Sequence, residues 1–369
     1  MNLQSMPILR ARDLLPLVLM LFAGCGPREQ APVVDSGQAS AVASTRVDLT
    51  GAGATFPYPL YSRWFNDYAQ RTNVRINYQS IGSGGGIRQM LEGTVDFGAT
   101  DVPMTDRELA QAPHPILHIP TVLGAVAVTY NLPALKRPLN LSGELLADIF
   151  LGRITKWNDA RLLALNPDAP LPASDVLVVH RADGSGTSYI FSDYLTAVSP
   201  AWAAAPGRGK DVRWPVGIGG TGNEGVAGQV KQTVGSVGYL EVVYARQNHL
   251  PVARIRNRAG RFIAPMPYEI ASAAASAMSK ASGVADLRLS LVNASAEEAY
   301  PIASFTWMLL SPQQIGPEKS KQLVDFLRWA LVDGGDMASS LGYVALPTVT
   351  ATRVLDILDT LSSNSSRRP

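Results

Sequence analysis

Arg181-Ala182-Asp183-Gly184-Ser185-Gly186-Thr187-Ser188 puts a fixed cation, a carboxylate, two glycines and three hydroxyls within eight residues, and the apolar-periodic run Tyr189 to Val198 follows. Glycines let the backbone approach a ligand, the first-turn N–H groups of a helix lack intrahelical partners, and the helix dipole adds partial positive charge there. The stretch therefore reads as an anion pocket at the start of a helix. The same residues would also make a plain capped helix start after an Asp-Gly-Ser-Gly turn. Upstream, Val176 to Val179 reads as a buried strand that delivers Arg181. Strand, glycine-rich turn and helix in this order indicate an α/β fold.

The pattern recurs nearer the N-terminus. Val47 to Leu49 is a strand signal running into Gly51-Ala52-Gly53-Ala54-Thr55-Phe56-Pro57, after which Tyr61, Trp64, Phe65 and Tyr68 stand at helical spacing. Thr55 is placed as the N-cap of that helix, with prolines tolerated in its first turn. Neither the Gly-Lys-Ser/Thr ending of a Walker loop nor G-x-G-x-x-G spacing is present. Val74 to Gln79 alternates as a strand, and a loop Gly82-Ser83-Gly84-Gly85-Gly86 precedes a short helix opened by Ile87, Met90 and Leu91. A run of three glycines is costly in conformational entropy, so it marks either a close backbone approach or a flexible loop.

A third strand, Val95 to Ala99, ends at Thr100-Asp101. Ligands bind at the carboxyl ends of strands in open α/β sheets, yet a carboxylate repels simple anions. The conflict disappears if the anion carries a proton. An ionised Asp accepts hydrogen bonds only, so Asp101 would favour a protonated oxyanion such as phosphate and reject sulfate, which has no proton to give near neutral pH. Asp101 as a turn former before Pro103 is the alternative.

Composition excludes other classes. Apolar residues make up 46% and charged residues 17% of the 369, and the net charge is +2, so neither a solvated tail nor a polyanion binder is expected. The length suits two domains. Arg10 and Arg12, then the apolar run Leu14 to Ala23, read as an export signal over 1–24, too short to span a bilayer. Cys25, the only cysteine, ends Leu21-Phe22-Ala23-Gly24-Cys25, which resembles the lipobox of bacterial lipoproteins with Phe22 where Leu is usual. A plain signal cut nearby, leaving a spare thiol, is the other reading. Residues 25–46 would form the lipidated cysteine and a flexible tether, and 362–369 a disordered polar tail. Without residues 1–24, 30 Lys/Arg face 29 Asp/Glu, so an anion must be held by local geometry.

Taken together, Gly51–Pro57, Gly82–Gly86, Val95–Asp101 and Arg181–Ser188 resemble the four ligand-bearing motifs of the periplasmic phosphate-binding proteins that serve ABC transporters. Leu151–Asp159, Asn166-Pro167, Trp214–Gly217 and Leu341–Pro347 also match, and the resemblance runs from about Leu49 to Leu361. It implies a two-domain periplasmic-binding-protein fold, type II-like, with the ligand in the interdomain cleft. Val122 to Tyr130 would carry the chain across and Ile302 to Leu310 return it. The domains would then be 47–124 plus 302–361 and 125–301.

Carried over residue by residue, Thr55 and Phe56 would donate backbone N–H groups, joined by the Thr55 hydroxyl. Ser83 would give its hydroxyl and N–H, and Asp101 would accept the phosphate proton. Arg181 would supply the charged fork, oriented by Asp183 from behind, while Ser185, Gly186 and Thr187 close the cage. Gly84 stands where some members have a second serine; His180 is assigned no role, and Gly217–Gly225, a further glycine-rich loop, a packing or hinge role. The implied function is phosphate capture in the periplasm and delivery to a permease with its ATPase, by a lipid-anchored monomer without cofactor or metal. A phosphate-ester hydrolase using Ser185 or Ser83 lacks support, since His114 and His118 lie among prolines, His180 and His249 show no partner spacing and no metal-ligand cluster appears. A phosphate-sensing surface protein is the third possibility.

Overall fold

A computed structural model describes residues 47–280 and 287–365. The export signal, Cys25 and the tether, all within 1–46, lie outside the described residues, as do 366–369.

The chain begins with a twice-repeated strand–turn–helix unit: β1 (Val47–Gly53), α1 (Tyr58–Arg71), β2 (Val74–Ser80), α2 (Ser83–Glu92), then β3 (Phe97–Thr100). These three strands are parallel, in the order β2-β1-β3, so their carboxyl ends share one edge. The expected aromatic face of α1 is buried: Tyr61, Trp64, Phe65 and Tyr68 pack on the sheet and against Phe326. Burying each such ring contributes roughly 1.5–3 kcal/mol, and the Trp64 indole N–H is satisfied by the Gly334 carbonyl at 3.0 Å.

Gly84 to Gly86, expected in a loop, instead lie in the first turn of α2, which starts at Ser83 behind Gly82 as N-cap. Close packing is the reason. A Cβ on Gly86 would lie 2.6 Å from the Gly53 Cα and 2.9 Å from the Ala99 carbonyl oxygen, so the helix sits directly on β1 and β3. Gly86→Ala is therefore expected to lower unfolding stability by about 1–3 kcal/mol, since backbone atoms must shift. Chemical denaturation measures this, and an unchanged midpoint would refute the packing argument.

After α3 (Asp106–Leu109) comes the strand β4 (Leu117–Tyr130), longer at its start than the sequence suggested. The following elements are β5 (Asn140–Leu141), α4 (Gly143–Phe150), α5 (Ala160–Leu165), β6 (Leu177–Arg181), α6 (Gly186–Val198) and α7 (Pro200–Ala204). Next come β7 (Ile218–Gly220), α8 (Gly222–Gln232), β8 (Ser236–Glu241) and α9 (Val242–Gln247), then β9 (Arg254–Arg256), β10 (Phe262–Ile263) and α10 (Pro267–Lys280). The chain closes with β11 (Ala303–Leu310), α11 (Pro312–Val332), α12 (Gly335–Leu341) and α13 (Thr348–Ser365). Gly316, at φ 78, interrupts α11 with a kink. Because α13 runs through Ser365, the disordered tail is corrected over 362–365: Ser362 and Ser363 donate to the carbonyls of Leu358 and Asp359.

The main sheet has eight strands in the order β2-β1-β3-β11-β4-β8-β6-β7, beside a three-stranded sheet β10-β9-β5. β4 changes partners midway: up to Ala125 it pairs antiparallel with β11, and from Val126 it pairs antiparallel with β8. β6 lies parallel to both β8 and β7. Two large apolar cores follow, one around Tyr61, Trp64 and Phe326, the other around Phe150, Trp157, Trp202 and Tyr239. No helix among the described residues is long and apolar enough to cross a membrane.

Candidate functional site

Every candidate residue from Thr55 to Thr187 stands just past the end of a parallel strand or at the start of a helix. Thr55 and Phe56 follow β1, Ser83 opens α2, Asp101 follows β3, and Arg181 ends β6. Ser185 caps α6, its Oγ accepting the Ser188 N–H at 3.0 Å, and Gly186 and Thr187 are the first residues of that helix.

The structure brings these segments together. The Gly84 N–H donates to the Gly184 carbonyl at 2.8 Å, joining α2 to the Arg181 loop. A Cβ on Gly186 would lie 2.4 Å from Ser83 Oγ and 2.8 Å from Asp101 Oδ2, so only glycine allows the two halves to meet there. Away from these contacts, Lys210 pairs with Glu108 on α3, and Arg288 pairs with Asp106 at 3.1 Å.

Arg181 is almost wholly buried. Its Nε donates to Asp183 Oδ1 at 2.7 Å, an Nη2 N–H donates to Asp183 Oδ2, and Nη1 donates to Thr187 Oγ1 at 3.2 Å. Five N–H groups are available to a guanidinium, so two remain uncommitted by these contacts. Burial raises the Asp183 carboxyl, but Arg181 and the Gly222 N–H at 3.1 Å outweigh it and hold Asp183 below the usual carboxylate range.

Four hydroxyls surround this cation, and each accepts a protein N–H. Thr55 Oγ1 takes the Asn223 Nδ2 at 2.7 Å, Ser83 Oγ takes the Asp101 N–H at 3.1 Å, and Ser185 and Thr187 take Ser188 and Arg181 as above. With its acceptor role filled, a hydroxyl has its proton to donate. Ser83 directs its proton at Asp101 Oδ2, 3.3 Å away. The backbone N–H groups of Thr55, Phe56, Ser83, Gly186 and Thr187 are buried and, among the described residues, find no protein acceptor. Buried N–H groups are rarely left so, and five in one place are a donor set of the kind an oxyanion complements.

Asp101 faces this donor set at 2% exposure. Burial pushes its carboxyl up to about 7, opposed by the Thr306 hydroxyl, the Arg181 charge and the Ser83 hydroxyl. Thr306 Oγ1 donates to Oδ1 at 2.8 Å, and Ser304 Oγ donates to the Asp101 carbonyl at 3.1 Å.

One expectation is corrected. Thr55 is not the N-cap of α1, which begins at Tyr58 behind Pro57 and has no side-chain cap. Its hydroxyl is drawn to Asn223 instead, where that side chain and the Asn223 N–H at 3.3 Å both reach it. Asn223 belongs to the glycine-rich loop that was given a packing or hinge role, and its Oδ1 in turn accepts the Glu241 N–H at 2.9 Å. His180 stacks on Trp214 with ring centroids 5.2 Å apart. Sequence reasoning missed Ser304, Thr306 and Asn223 as neighbours of the site; the two hydroxyls in the otherwise apolar Ala303–Leu310 were the available signal.

Residues 35–333 match the family described as PBP superfamily domain. The phosphate-binding protein PstS of Haemophilus influenzae is 44% identical over 316 residues, covering 85% of this chain and 91% of that protein. A phosphate-binding protein of Stenotrophomonas maltophilia, of solved structure, superposes with a TM-score of 0.63 at 20% identity, over 84% of this chain and 93% of that one. An ABC-type phosphate transport receptor from Vibrio cholerae gives a TM-score of 0.52 at 17% identity, over 81% of this chain and all of the other. At such identities the two structures speak for the two-domain α/β fold.

Proposed function

Because the chain belongs to the PBP superfamily, we propose that it binds inorganic phosphate between its two lobes and hands it to the permease of an ABC importer. The observation that carries this is the donor set itself: five buried N–H groups that find no acceptor among the described residues, beside one buried guanidinium and one buried carboxylate. Thr55, Phe56, Ser83, Arg181, Ser185, Gly186 and Thr187 donate to the phosphate oxygens, Asp101 accepts the phosphate proton, and Asp183 aims the guanidinium. Hydrogen bonds to a charged group contribute about 1.5–3 kcal/mol each, so a handful gives a Kd of roughly micromolar or tighter.

The lobes in this reading are 47–124 with 302–361, and 125–301. Support comes from the change of partners along β4 and from the two cores. Opening would separate Gly84 from Gly184 and admit the ligand, the hinge motion that binding proteins of this kind use. Export and a lipid anchor at Cys25 would keep the monomer in the cell envelope, beside the permease and its ATPase.

Calorimetric titration with phosphate, with sulfate and arsenate as competitors, tests the function. The expected result is one phosphate per chain with sulfate at least about a hundredfold weaker, since an ionised Asp101 repels an anion that has no proton to donate. Absence of phosphate binding would sink the proposal, and equal affinity for sulfate would remove Asp101 from it.

A further inference from the structure

Three consecutive carbonyls of the first loop each accept a tyrosine hydroxyl. Tyr78 on β2 donates to the Ala54 carbonyl at 2.8 Å, Tyr244 on α9 to the Thr55 carbonyl at 2.6 Å, and Tyr343, just past α12, to the Phe56 carbonyl at 2.6 Å. The donors lie 24, 189 and 287 residues away in sequence, so three separate elements converge on one tripeptide. Burial pushes all three hydroxyls well above the ordinary tyrosine value, which keeps them protonated as donors.

A carbonyl that accepts a hydrogen bond withdraws electron density through its amide, and the N–H of the same peptide unit becomes a stronger donor. The Ala54 carbonyl shares its peptide unit with the Thr55 N–H, and the Thr55 carbonyl shares one with the Phe56 N–H. Both N–H groups are buried and find no acceptor among the described residues. The Phe56 carbonyl is followed by Pro57, which has no N–H. Tyr343 therefore makes the same contact as the other two with no donor behind it.

We propose that Tyr78 and Tyr244 are positioning residues of the anion site, strengthening the Thr55 and Phe56 N–H donors through the carbonyls behind them, and that Tyr343 adds nothing to any donor. The inference rests on the phosphate-binding reading. It separates two effects that usually travel together. Tyr78→Phe and Tyr343→Phe each leave a buried carbonyl without its donor, whereas after Tyr244→Phe the Thr55 carbonyl keeps the Tyr58 N–H at 3.2 Å, so stability should fall in the first two and less in the third. Only two of the three should weaken the ligand.

The experiment compares wild type with Tyr78→Phe, Tyr244→Phe and Tyr343→Phe by phosphate calorimetry, urea denaturation and amide NMR of 15N-labelled protein. Expected are losses of affinity of roughly threefold in each of the first two and roughly tenfold when they are combined, from polarisation of about 10–30% per bond. Tyr343→Phe should stay within about twofold of wild type while its denaturation midpoint falls as in Tyr78→Phe. In the phosphate-bound protein the Thr55 amide proton should move upfield in Tyr78→Phe, and that of Phe56 in Tyr244→Phe. Equal affinity losses in all three variants would reduce the tyrosines to loop supports and overturn the proposal, as would unchanged affinity in the first two. Should a Phe variant fail to fold, 3-fluorotyrosine at that position, a stronger hydroxyl donor, should tighten binding at 78 or 244; no change there overturns the proposal too. If wild type itself does not bind phosphate, the functional reading fails; if it binds and the variants match it, only this inference does.

Discussion

Arg181→Ala is expected to weaken phosphate binding by about 3–5 kcal/mol, on the order of a hundredfold to several thousandfold, because it removes a desolvated charge-assisted contact. Arg181 is 3% exposed, and three of its N–H groups are engaged by Asp183 and Thr187, leaving two to face an oxyanion as a planar fork. The substitution also deprives Asp183, whose side chain is 16% exposed, of its cation and leaves it to backbone N–H groups such as that of Gly222. Part of any loss measured in the single variant could then come from a destabilised loop. The double variant Arg181→Ala/Asp183→Asn separates the two effects: stability should return toward wild type, while affinity should not. Arg181→Lys should fall between, since an ammonium keeps the charge but not the two-pronged geometry. Calorimetry and urea denaturation read both quantities, and an unchanged phosphate titration for Arg181→Ala would place the site elsewhere.

How far such a site can be read from sequence depends on whether its parts are local. The glycine-rich turns, the hydroxyls beside them and Arg181 each sit within a few residues of a strand end, so period and turn chemistry suffice to find them. Asp101 was legible for the same reason. Thr306 was not: it lies 205 residues from Asp101 and alternates within an apolar strand, where a hydroxyl looks like one more interior position. Asn223, Tyr244 and Tyr343 were hidden in the same way, because only the crossing of β4 and the return of β11 bring them to the first loop, whereas Tyr78 stands on β2 beside β1. One local reading also failed for an identifiable reason. Thr55 has the right chemistry for a helix cap, but Pro57 delays the helix and Asn223 competes for the hydroxyl. Of the two readings of the glycine triplet, a close backbone approach or a flexible loop, Gly86 fits the first, because it lies against the backbone of β1 and β3. The export signal and Cys25, outside the described residues, stand on sequence alone.

Asp101→Asn is expected to cut the preference for phosphate over sulfate by about tenfold or more, because an amide offers a donor as well as an acceptor and no longer penalises an anion without a proton. In wild type the preference should depend on pH. Burial raises the Asp101 carboxyl from 3.8 to about 7, with Thr306, Arg181 and Ser83 pulling against it. Above that value the carboxylate accepts only, and sulfate finds no partner. Below it the protonated acid donates, so sulfate binding should tighten with acid, taking up one proton, and selectivity should narrow. The same shift sets a stability slope in the ligand-free protein. A carboxyl whose folded value is raised favours the fold below its unfolded value, and that contribution is lost as pH rises through the folded one. The denaturation midpoint should therefore fall between about pH 4 and pH 7 by an increment that Asp101→Asn removes, the window being set by the two carboxyl values. Sulfate competition at about pH 5 and pH 8.5 in both proteins decides the matter. A sulfate affinity that stays constant in wild type across that range would mean that Asp101 does not read the ligand's proton, and the basis for selectivity would then have to lie in the donor geometry alone.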